Sequence, residues 1–322
     1  MLGLLLASLV MLGLGMGVGS QGWTLSWGLG DDPVARQIFW DIRLPRNLGA
    51  WLGGALLGLA GAVAQGLFRN PLADPYLLGS SSGASLGVSL VLSAWSGSQL
   101  SLAAWERLGV TGAGFVGAMA AVGMTIALSR GLQHTLRLLL AGVVVGVVLG
   151  ALTTWVAWLD PRLWQTLQAF MLGSATFMDQ AACLILAGVF VVCLFMSVAW
   201  ARVLDAVNLG DDTARSLGMP LFAARWGLVV AMSLATATAV AQMGLIAFIG
   251  LAAPHAVRGT VRCTHAGLLV LSALMGGLLL LCSDMLARLL RAPEEVPVGI
   301  LTSVLGGGYL LWRMQRSTHG VS

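Results

Sequence analysis

Long apolar runs recur along the whole sequence, and they constrain the fold more than any other feature. Each run approaches the ~20 residues that a helix needs to cross about 30 Å of hydrocarbon. The runs predict an all-α, polytopic membrane protein with about ten spans, forming a single transmembrane domain over residues 1–322. The predicted spans lie near residues 1–19, 47–68, 78–95, 110–129, 138–158, 183–200, 227–243, 244–257, 266–286 and 298–312.

The composition excludes a soluble globular domain. The chain is 58% hydrophobic and only 9% charged, whereas soluble domains carry about 25% charged residues. The alternating segments of roughly 10 residues that are typical of membrane β-barrels do not occur. Residues 1–20 lack a positively charged start and a cleavage site followed by a soluble domain, so we interpret them as the first span and not as a signal peptide.

The arginine distribution predicts the orientation of the chain. Ten spans place both termini on the same side of the membrane. With the N-terminus inside, ten arginines fall in inner segments and seven in outer segments, and the chain contains no Lys. This excess agrees with the positive-inside rule. The sequence therefore predicts that both termini are cytoplasmic.

A short repeated motif suggests internal symmetry. The tetrapeptide AVAQ occurs at 62–65 in the second span and again at 239–242 in the seventh. Each copy is followed by apolar residues and then by a turn that contains proline. Because the second and seventh spans start on opposite sides, the motif predicts an inverted repeat of spans 2–5 and 7–10.

Ionisable residues are absent from the centres of the predicted spans. Asp284 comes nearest, and it lies close to the outer end of the ninth span. Secondary transporters and intramembrane acid–base enzymes depend on such residues, so both classes are disfavoured. The four His and four Cys have no metal-ligand spacing, and the chain has no phosphate-binding G-x-x-x-x-G-K-[ST] loop. If the function needs ATP, a separate subunit must hydrolyse it.

The segment 201–226, ARVLDAVNLGDDTARSLGMPLFAARW, is elaborate for a connector on the inner side. Gly210 can end one short helix, and Asp211 and Asp212 suit the positive start of another. Gly218 suits the end of that second helix, since glycine adopts the left-handed conformation there. The segment therefore predicts two short helices, which serve either as a docking knob for a cytoplasmic partner or as a simple connector.

Two polar features interrupt the apolar pattern elsewhere. On the outer side, Arg43 and Arg46 flank Leu44-Pro45, which we expect to hold them on a stiff extended turn. They either extend toward the membrane surface or anchor a partner that bears carboxylates. On the inner side, residues 67–87 read LFRNPLADPYLLGSSSGASLG, and their Ser/Gly surface is suited to a wide, weakly binding passage.

These segments together resemble the FecCD family, the permease subunits of type II ABC importers for ferric siderophores, haem and cobalamin. The resemblance implies a homodimer of ten-helix subunits, two cytoplasmic ATPase subunits that use ATP and Mg, and a periplasmic binding protein. It implies no cofactor in this chain, a bacterial inner-membrane location and no nucleic-acid partner. The matching stretches are IRLPR at 42–46, GLAGAVAQGLFRNPLADPYLLGSSSGASLG at 58–87, RLLLAG at 137–142, LGDDTARSLG at 209–218, GLIAFIGLAAPHAVR at 244–258 and DMLARLLRAPEEVPVGILT at 284–302.

The resemblance also implies roles for individual residues. The outer arginines Arg43, Arg46 and Arg288 would face acidic residues of the binding protein. Asn70 and Leu72 would help to close the path on the inner side, and Thr135 and Leu136 would form the other inner constriction. Ser80, Ser81 and Ser82 would line or support the path. The residues implied to couple to the ATPase are Gly210, Asp211, Asp212, Thr213, Ala214, Arg215, Ser216, Leu217 and Gly218.

Some stretches depart from the family pattern. After the eighth span the chain reads RGTVRCTHAGLL, which carries less charge than the corresponding segment in many relatives. The last span reads LGGGYLLWRM, and Leu136 stands where a small polar residue is expected. The substrate expected from the family is an iron chelate, either a siderophore or haem, with cobalamin as the alternative.

Overall fold

The structure is a computed structural model that describes residues 1–19, 22–23, 33–95, 103–129 and 135–318. Within these ranges the chain is almost entirely helical, apart from one short antiparallel pair of β1 (Val18–Gly19) with β2 (Gly22–Trp23). The helices are α1 (Leu2–Gly17), α2 (Pro33–Gln37), α3 (Leu44–Phe68), α4 (Ser80–Trp95), α5 (Ala103–Leu128), α6 (Thr135–Leu159), α7 (Leu163–Leu172), α8 (Gln180–Ala199), α9 (Ala201–Asn208), α10 (Asp211–Ser216), α11 (Leu221–Met243), α12 (Ile249–Thr260), α13 (His265–Leu289) and α14 (Val298–Thr318).

The prediction of an all-α membrane protein is confirmed. Among the described residues, six helical segments are long and apolar enough to cross a membrane. They are Pro33–Phe68, Gly109–Leu128, Leu136–Leu159, Gln180–Ala199, Leu221–Met243 and His265–Leu289. The four remaining predicted spans correspond to the shorter helices α1, α4 and α12 and to α14. Helix α12 has 12 residues and is therefore only about 18 Å long.

Helix α3 forms the centre of the bundle. Every residue from Gly53 to Phe68 is buried, and α13 packs along the helix. A Cβ atom at Gly54 would overlap the carbonyl oxygen of Gly276, and one at Gly58 would overlap that of Ser272. The small residues thus let two helix backbones approach closely, as is usual where lipid supplies no hydrophobic driving force.

The helix contacts follow the predicted inverted repeat, in which α3–α6 correspond to α11–α14. Helix α3 packs on α13 and α12, and its counterpart α11 packs on α5 and α4. Likewise, α4 packs on α5 and α6, whereas α12 packs on α13 and α14. The two turns that follow α3 and α11 also meet, since the Tyr76 hydroxyl donates a hydrogen bond to the Ile246 carbonyl oxygen at 3.2 Å.

Two local predictions are wrong. The eighth span begins at Ile249 instead of residue 244, because Gly244 and Phe248 have positive φ angles, of 71° and 68°, which a right-handed helix does not allow. Leu44-Pro45 is not an extended turn. Pro45 lies in the first turn of α3, where backbone N–H groups have no partner within the helix, so the missing N–H of proline costs no hydrogen bond. A π-helical turn, Ile38–Arg43, joins α2 to α3.

The glycine row of α4 is a packing surface and not a passage wall. A Cβ atom at Gly83 would overlap the carbonyl oxygen of Gly117, and one at Gly87 would overlap that of Ala113. Both partners lie on α5. The serines of α4 therefore point elsewhere, and the wall that they form is described below.

Candidate functional site

The two short helices predicted in segment 201–226 are present as α9 and α10. Gly210, with φ of 109°, separates them. At the end of α10 the Met219 N–H donates to the Ala214 carbonyl oxygen, and the Gly218 N–H donates to that of Arg215. This is the ending that a left-handed glycine permits. We call residues 201–220 the knob, the end of the bundle that carries it the knob end, and the other end the opposite end.

The knob has a buried apolar face and an exposed mixed face. Its own small core contains Val203, Ala206, Val207 and Ala214, packed against the start of α11. Ala214, which we expected in the coupling surface, is fully buried and supports the knob from within. The exposed face carries Leu209, Asp212, Thr213, Arg215, Ser216 and Leu217, and the exposed Phe222 follows at the start of α11. A surface of exposed large apolar groups among charges is suited to docking another protein.

Asp211 ties the knob to the transmembrane helices. Its carboxylate lies 2.6 Å from Nη2 of Arg225 on α11, which is 7% exposed. The other carboxylate oxygen lies 3.5 Å from Nη2 of Arg69, directly after α3. Because the Asp211–Arg225 pair is charge-assisted and partly buried, it holds α10 in a defined position.

A second connection joins α9 to the start of α13. The Asp205 carboxylate accepts a hydrogen bond from the His265 backbone N–H at 3.1 Å. It also lies 2.6 Å from His265 Nδ1. His265 Nε2 lies 3.5 Å from the Asn208 amide nitrogen. The knob is thereby linked to α3, α11 and α13, the helices at the centre of the bundle.

The turn after α3 lies beside the knob. Arg69 ends α3 in a left-handed conformation, with φ of 50°, and the Asn70 side chain accepts a hydrogen bond from the Leu72 N–H at 2.9 Å. Asn70 is exposed, and Leu72 is 51% exposed. Both predicted gate residues therefore protrude from the knob end. On α6, the predicted gate residue Leu136 is 82% exposed, Thr135 is the first helical residue, and turn 130–134 lies outside the described residues.

Asp74 stabilises the rest of this turn. Its carboxylate accepts a hydrogen bond from the Tyr76 N–H at 2.8 Å and begins the 3₁₀ turn Pro75–Leu78. Burial raises the pKa of Asp74 to about 6, although the hydrogen bond from Tyr76 opposes the shift. The turn is further held by Thr125 on α5, whose hydroxyl donates to the Leu78 carbonyl oxygen at 2.9 Å.

The serines at the start of α4 divide into two groups. Ser80 is fully buried, and so does not line a passage. Ser81 and Ser82 border two cavities, one of about 210 Å³ toward α6 and α7 and one of about 420 Å³ toward α6 and Asp74. The first cavity is also lined by Ser85, Thr153, Thr154, Trp164 and Gln168. These hydroxyl groups therefore border open space on the side of α4 that faces α6.

At the opposite end, a balanced cluster of four charges joins α3 to α13. Arg46 Nη2 lies 3.0 Å from Asp284, and its Nη1 lies 2.8 Å from Glu295. Arg288 Nη2 lies 3.0 Å from Asp284 and donates to Asn47 Oδ1 at 2.8 Å. Two arginines and two carboxylates thus neutralise each other within the subunit.

The arginines of this cluster are not presented outward. Arg46 is 7% exposed and Arg288 is 1% exposed, so the outward presentation that we expected is wrong for both. Arg288 Nη1 instead donates to the Val18 carbonyl oxygen at 2.7 Å. The half-buried Arg43 donates to the Met16 carbonyl oxygen at 2.9 Å. Arg43 and Arg288 therefore fasten the end of α1 to the helix bundle, whereas Arg46 joins α3 to Asp284 and Glu295.

Glu295 lies in the loop after α13 and completes the cluster. Burial alone would raise the pKa of the Glu295 carboxyl, but the hydrogen bond and the charge of Arg46 lower it overall, with help from Thr176. The Thr176 hydroxyl donates to Glu295 Oε2 at 3.0 Å. The cluster consequently extends to the loop before α8.

Several of these residues could not be identified from the sequence. The pairs Asp211–Arg69, Asp205–His265 and Arg46–Asp284 join distant segments, and no local pattern indicates them. Helix α7 was missed, although Leu163, Leu167 and Phe170 have helical spacing and face inward. In the described part of the chain, no three His, Cys, Asp or Glu side chains lie close enough to hold a metal ion.

Comparison with known proteins finds relatives that match most of the chain. The hemin transport system permease protein HmuU of Yersinia pestis is 39% identical over 323 residues, covering 98% of this chain and 95% of HmuU. The vitamin B12 import system permease protein BtuC of Salmonella paratyphi A is 39% identical over 280 residues, covering 86% of this chain and 83% of BtuC.

A solved structure and a family model agree with these relatives. A metal-chelate type ABC transporter in an inward-facing conformation superposes with a TM-score of 0.86 at 26% identity, covering 97% of this chain and 98% of the other. The FecCD transport family model matches residues 4–316. The resemblance predicted from the sequence is confirmed, and the chain belongs to the FecCD transport family.

Proposed function

We propose that this chain is the membrane-spanning permease subunit of an ATP-driven importer, and that it carries an iron chelate, haem or a ferric siderophore, across the bacterial inner membrane. The chelate arrives on a periplasmic binding protein, and a separate cytoplasmic subunit hydrolyses ATP. The knob end then faces the cytoplasm, as do both termini. The chain moves its substrate without changing a covalent bond in it.

The observation that carries this proposal is the position of Asp211. This residue belongs to the exposed knob, yet its carboxylate reaches Arg69 and Arg225 at the inner ends of α3 and α11. Asn70 follows Arg69 directly. A displacement of the knob by an ATPase is thus transmitted to the turn that carries Asn70 and Leu72.

The knob is the surface that we propose for the ATPase. Arg215 and Asp212 are highly exposed, and Leu209 and Leu217 are 69% and 58% exposed. Arginine and large apolar groups are enriched where proteins bind each other. Two copies of the ATPase would bind two copies of the knob, each using its own ATP and Mg, and the chain itself would need no cofactor.

A second copy of this chain would complete the path. Helix α6 packs through one side only, and its other side exposes Leu136, Leu140, Val143 and Val147. These positions lie close to the Ser81–Ser82 cavities, where Val143 and Val147 form part of the wall. We propose that the path runs between the two subunits, with Asn70, Leu72, Thr135 and Leu136 at its inner constriction, and that lipid covers the remaining apolar surface.

At the opposite end, we propose that Arg43, Arg46 and Arg288 shape the surface on which the binding protein docks. The buried pairs of Arg46 and Arg288 fix the ends of α1, α3 and α13, so these two arginines act by positioning that surface. Arg43, which is only half-buried, is the one best placed for a direct contact. No nucleic acid takes part.

The relatives support haem as the first substrate to test and cobalamin as the alternative. The haemin permease aligns with nearly the whole chain. The vitamin B12 permease has the same identity over a shorter alignment. Both names describe bulky ligands, which is consistent with a smooth, hydroxyl-lined path.

Uptake into proteoliposomes tests the proposal. The permease is reconstituted with its ATPase, and its binding protein is loaded in turn with haem, a ferric siderophore and cobalamin. ATP-dependent uptake of haem or the siderophore alone supports an iron-chelate importer. Uptake of cobalamin alone selects the alternative, and uptake of none by an intact complex contradicts both.

A further inference from the structure

A polar cavity of about 430 Å³ opens at the knob end, beside the gate turn that carries Asn70. The end of α3, the end of α12 and the start of α13 form its walls, and Asn208 reaches it from α9. The polar side chains that line it are Gln65, Arg69, Asn70, Asn208, Arg258, Arg262 and His265.

The cavity carries an excess of positive charge. Three arginines line it, and the described lining contains no Asp or Glu. Arg69 is partly balanced by Asp211. Arg258 and Arg262, in contrast, have no carboxylate within 4.0 Å among the described residues. Arg258 Nη1 donates a hydrogen bond to Gln65 Oε1, which is neutral. Two guanidinium charges therefore remain uncompensated.

The hydrogen-bonding groups match an anion with several oxygens. Arginine presents N–H donors in a planar fork that fits a phosphate group in two places at once. The Asn208 amide can add a further donor, whereas the two ring nitrogens of His265 face Asp205 and Asn208. A chloride ion would use only a fraction of these donors, and a carboxylate would leave one side of the cavity unfilled.

We propose that this cavity binds a phosphate group, supplied either by the headgroup of an anionic lipid or by inorganic phosphate. The occupant bridges α12, the end of α3 and the knob helix α9. Because Asn70 and Pro71 also border the cavity, the occupant stiffens the connection between the knob and the gate turn. Its binding is independent of the transported substrate.

Two binding measurements on the purified full-length chain test the proposal and separate the two sources. The first follows thermal unfolding in neutral detergent with inorganic phosphate, against chloride at matched ionic strength. The second counts the phosphatidylglycerol molecules that stay bound, by native mass spectrometry, after transfer from nanodiscs that contain phosphatidylcholine and phosphatidylglycerol.

The variant Arg258→Gln/Arg262→Gln removes both uncompensated charges. Arg202→Gln is its matched control, because Arg202 is an exposed arginine of α9 that does not line the cavity. We expect the double variant to weaken binding by about tenfold or more and the control to bind as the wild type does. Arg258→Lys/Arg262→Lys keeps the charges but loses the forks, so an intermediate loss is expected.

The outcomes are distinct. Phosphatidylglycerol retained by the wild type and lost by the double variant assigns the site to a lipid headgroup, and stabilisation by inorganic phosphate alone assigns it to free phosphate. If the double variant does not fold, Arg262→Gln removes an exposed charge and gives the same comparison. Equal binding by wild type and variants, or no binding of either probe, overturns the proposal whether or not the chain transports a chelate.

Discussion

Arg46 Nη2 lies 3.0 Å from the Asp284 carboxylate, although the two residues are 238 positions apart in the sequence. Arg288 shares the same carboxylate from the next turn of α13. The two arginines join the beginning of α3 to the end of α13 in a buried setting. The consequences for stability differ sharply from those of an exposed ion pair.

Arg288→Gln should destabilise the subunit strongly. The change leaves the Val18 carbonyl oxygen without its strongest donor and leaves Asp284 and Glu295 facing a single arginine. Breaking a buried ion pair typically costs about 3–5 kcal/mol. We expect a clear fall in the thermal unfolding midpoint of the purified chain. Arg291→Gln is the control, because Arg291 pairs with Glu294 in the open and should cost less than about 1 kcal/mol. Equal effects of the two changes would contradict the role given to the buried cluster.

Glu295→Gln should reduce stability in a pH-dependent way. The pKa of Glu295 is lowered in the folded protein, so its contribution is present above its unfolded pKa and is lost as the pH falls through the folded value. At neutral pH we expect a cost of about 1–2 kcal/mol, because a hydrogen bond to a charged group is lost. Unfolding midpoints of wild type and variant should converge as the solution is made acidic below pH 4.5. A constant difference at every pH would show that charge is not the cause.

Asp74→Asn should have the opposite pH dependence. The folded pKa of Asp74, about 6, lies above its ordinary value of 3.8, so folding favours the protonated form. The contribution to stability is therefore present at low pH and is lost as the pH rises through about 6. Asparagine keeps the oxygen that accepts the Tyr76 N–H.

The measurement for Asp74→Asn is again the unfolding midpoint, compared at pH values on both sides of 6. The variant should be more stable than the wild type above pH 6, by about 1–2 kcal/mol, and similar to it near the unfolded pKa. Asp212→Asn, which changes a fully exposed carboxylate of the knob, is the control and should leave the unfolding midpoint close to that of the wild type. A variant that loses stability at high pH would contradict the buried setting of Asp74.

Arg215→Glu should weaken the interaction with the ATPase while leaving the subunit folded. Arg215 is exposed, and its 3.5 Å contact with Asp212 is open to solvent, so its loss has little effect on stability. Reversal of its charge should reduce co-purification of the ATPase and ATP-dependent uptake by about tenfold. Arg215→Lys keeps the charge and serves as the control. If Arg215→Glu supported uptake at the wild-type rate, that result would contradict the role of the knob in coupling to the ATPase.

The sequence predicted the helices that have strong local signals. The apolar length of α3 and α13 identifies both as spans, and Gly210, Asp211 and Gly218 mark the limits of α10 because of their conformational and charge preferences. Helix α7 is only ten residues long, so its short apolar pattern does not stand out from a loop that joins two spans.

Contacts between distant segments could not be predicted in the same way. An arginine near a membrane boundary has the same local sequence whether it faces water or a buried carboxylate, which is why Arg46 and Arg288 were expected to point outward. Asp284 was noted as the acid nearest to a span interior, but its partners are fixed only by the packing of α3 on α13. The pairing of Asp205 with His265 likewise depends on how the knob folds back on the bundle.

If a separate ATPase drives import through this chain, uptake must depend on ATP, and uptake into proteoliposomes measures that dependence. Proteoliposomes containing the permease and ATPase receive ATP on the ATPase side and haem on the loaded binding protein outside, and imposed proton or sodium gradients serve as comparison. We expect uptake only when ATP, the ATPase and the binding protein are all present. Uptake by the permease alone, driven by an ion gradient without ATP, would contradict it.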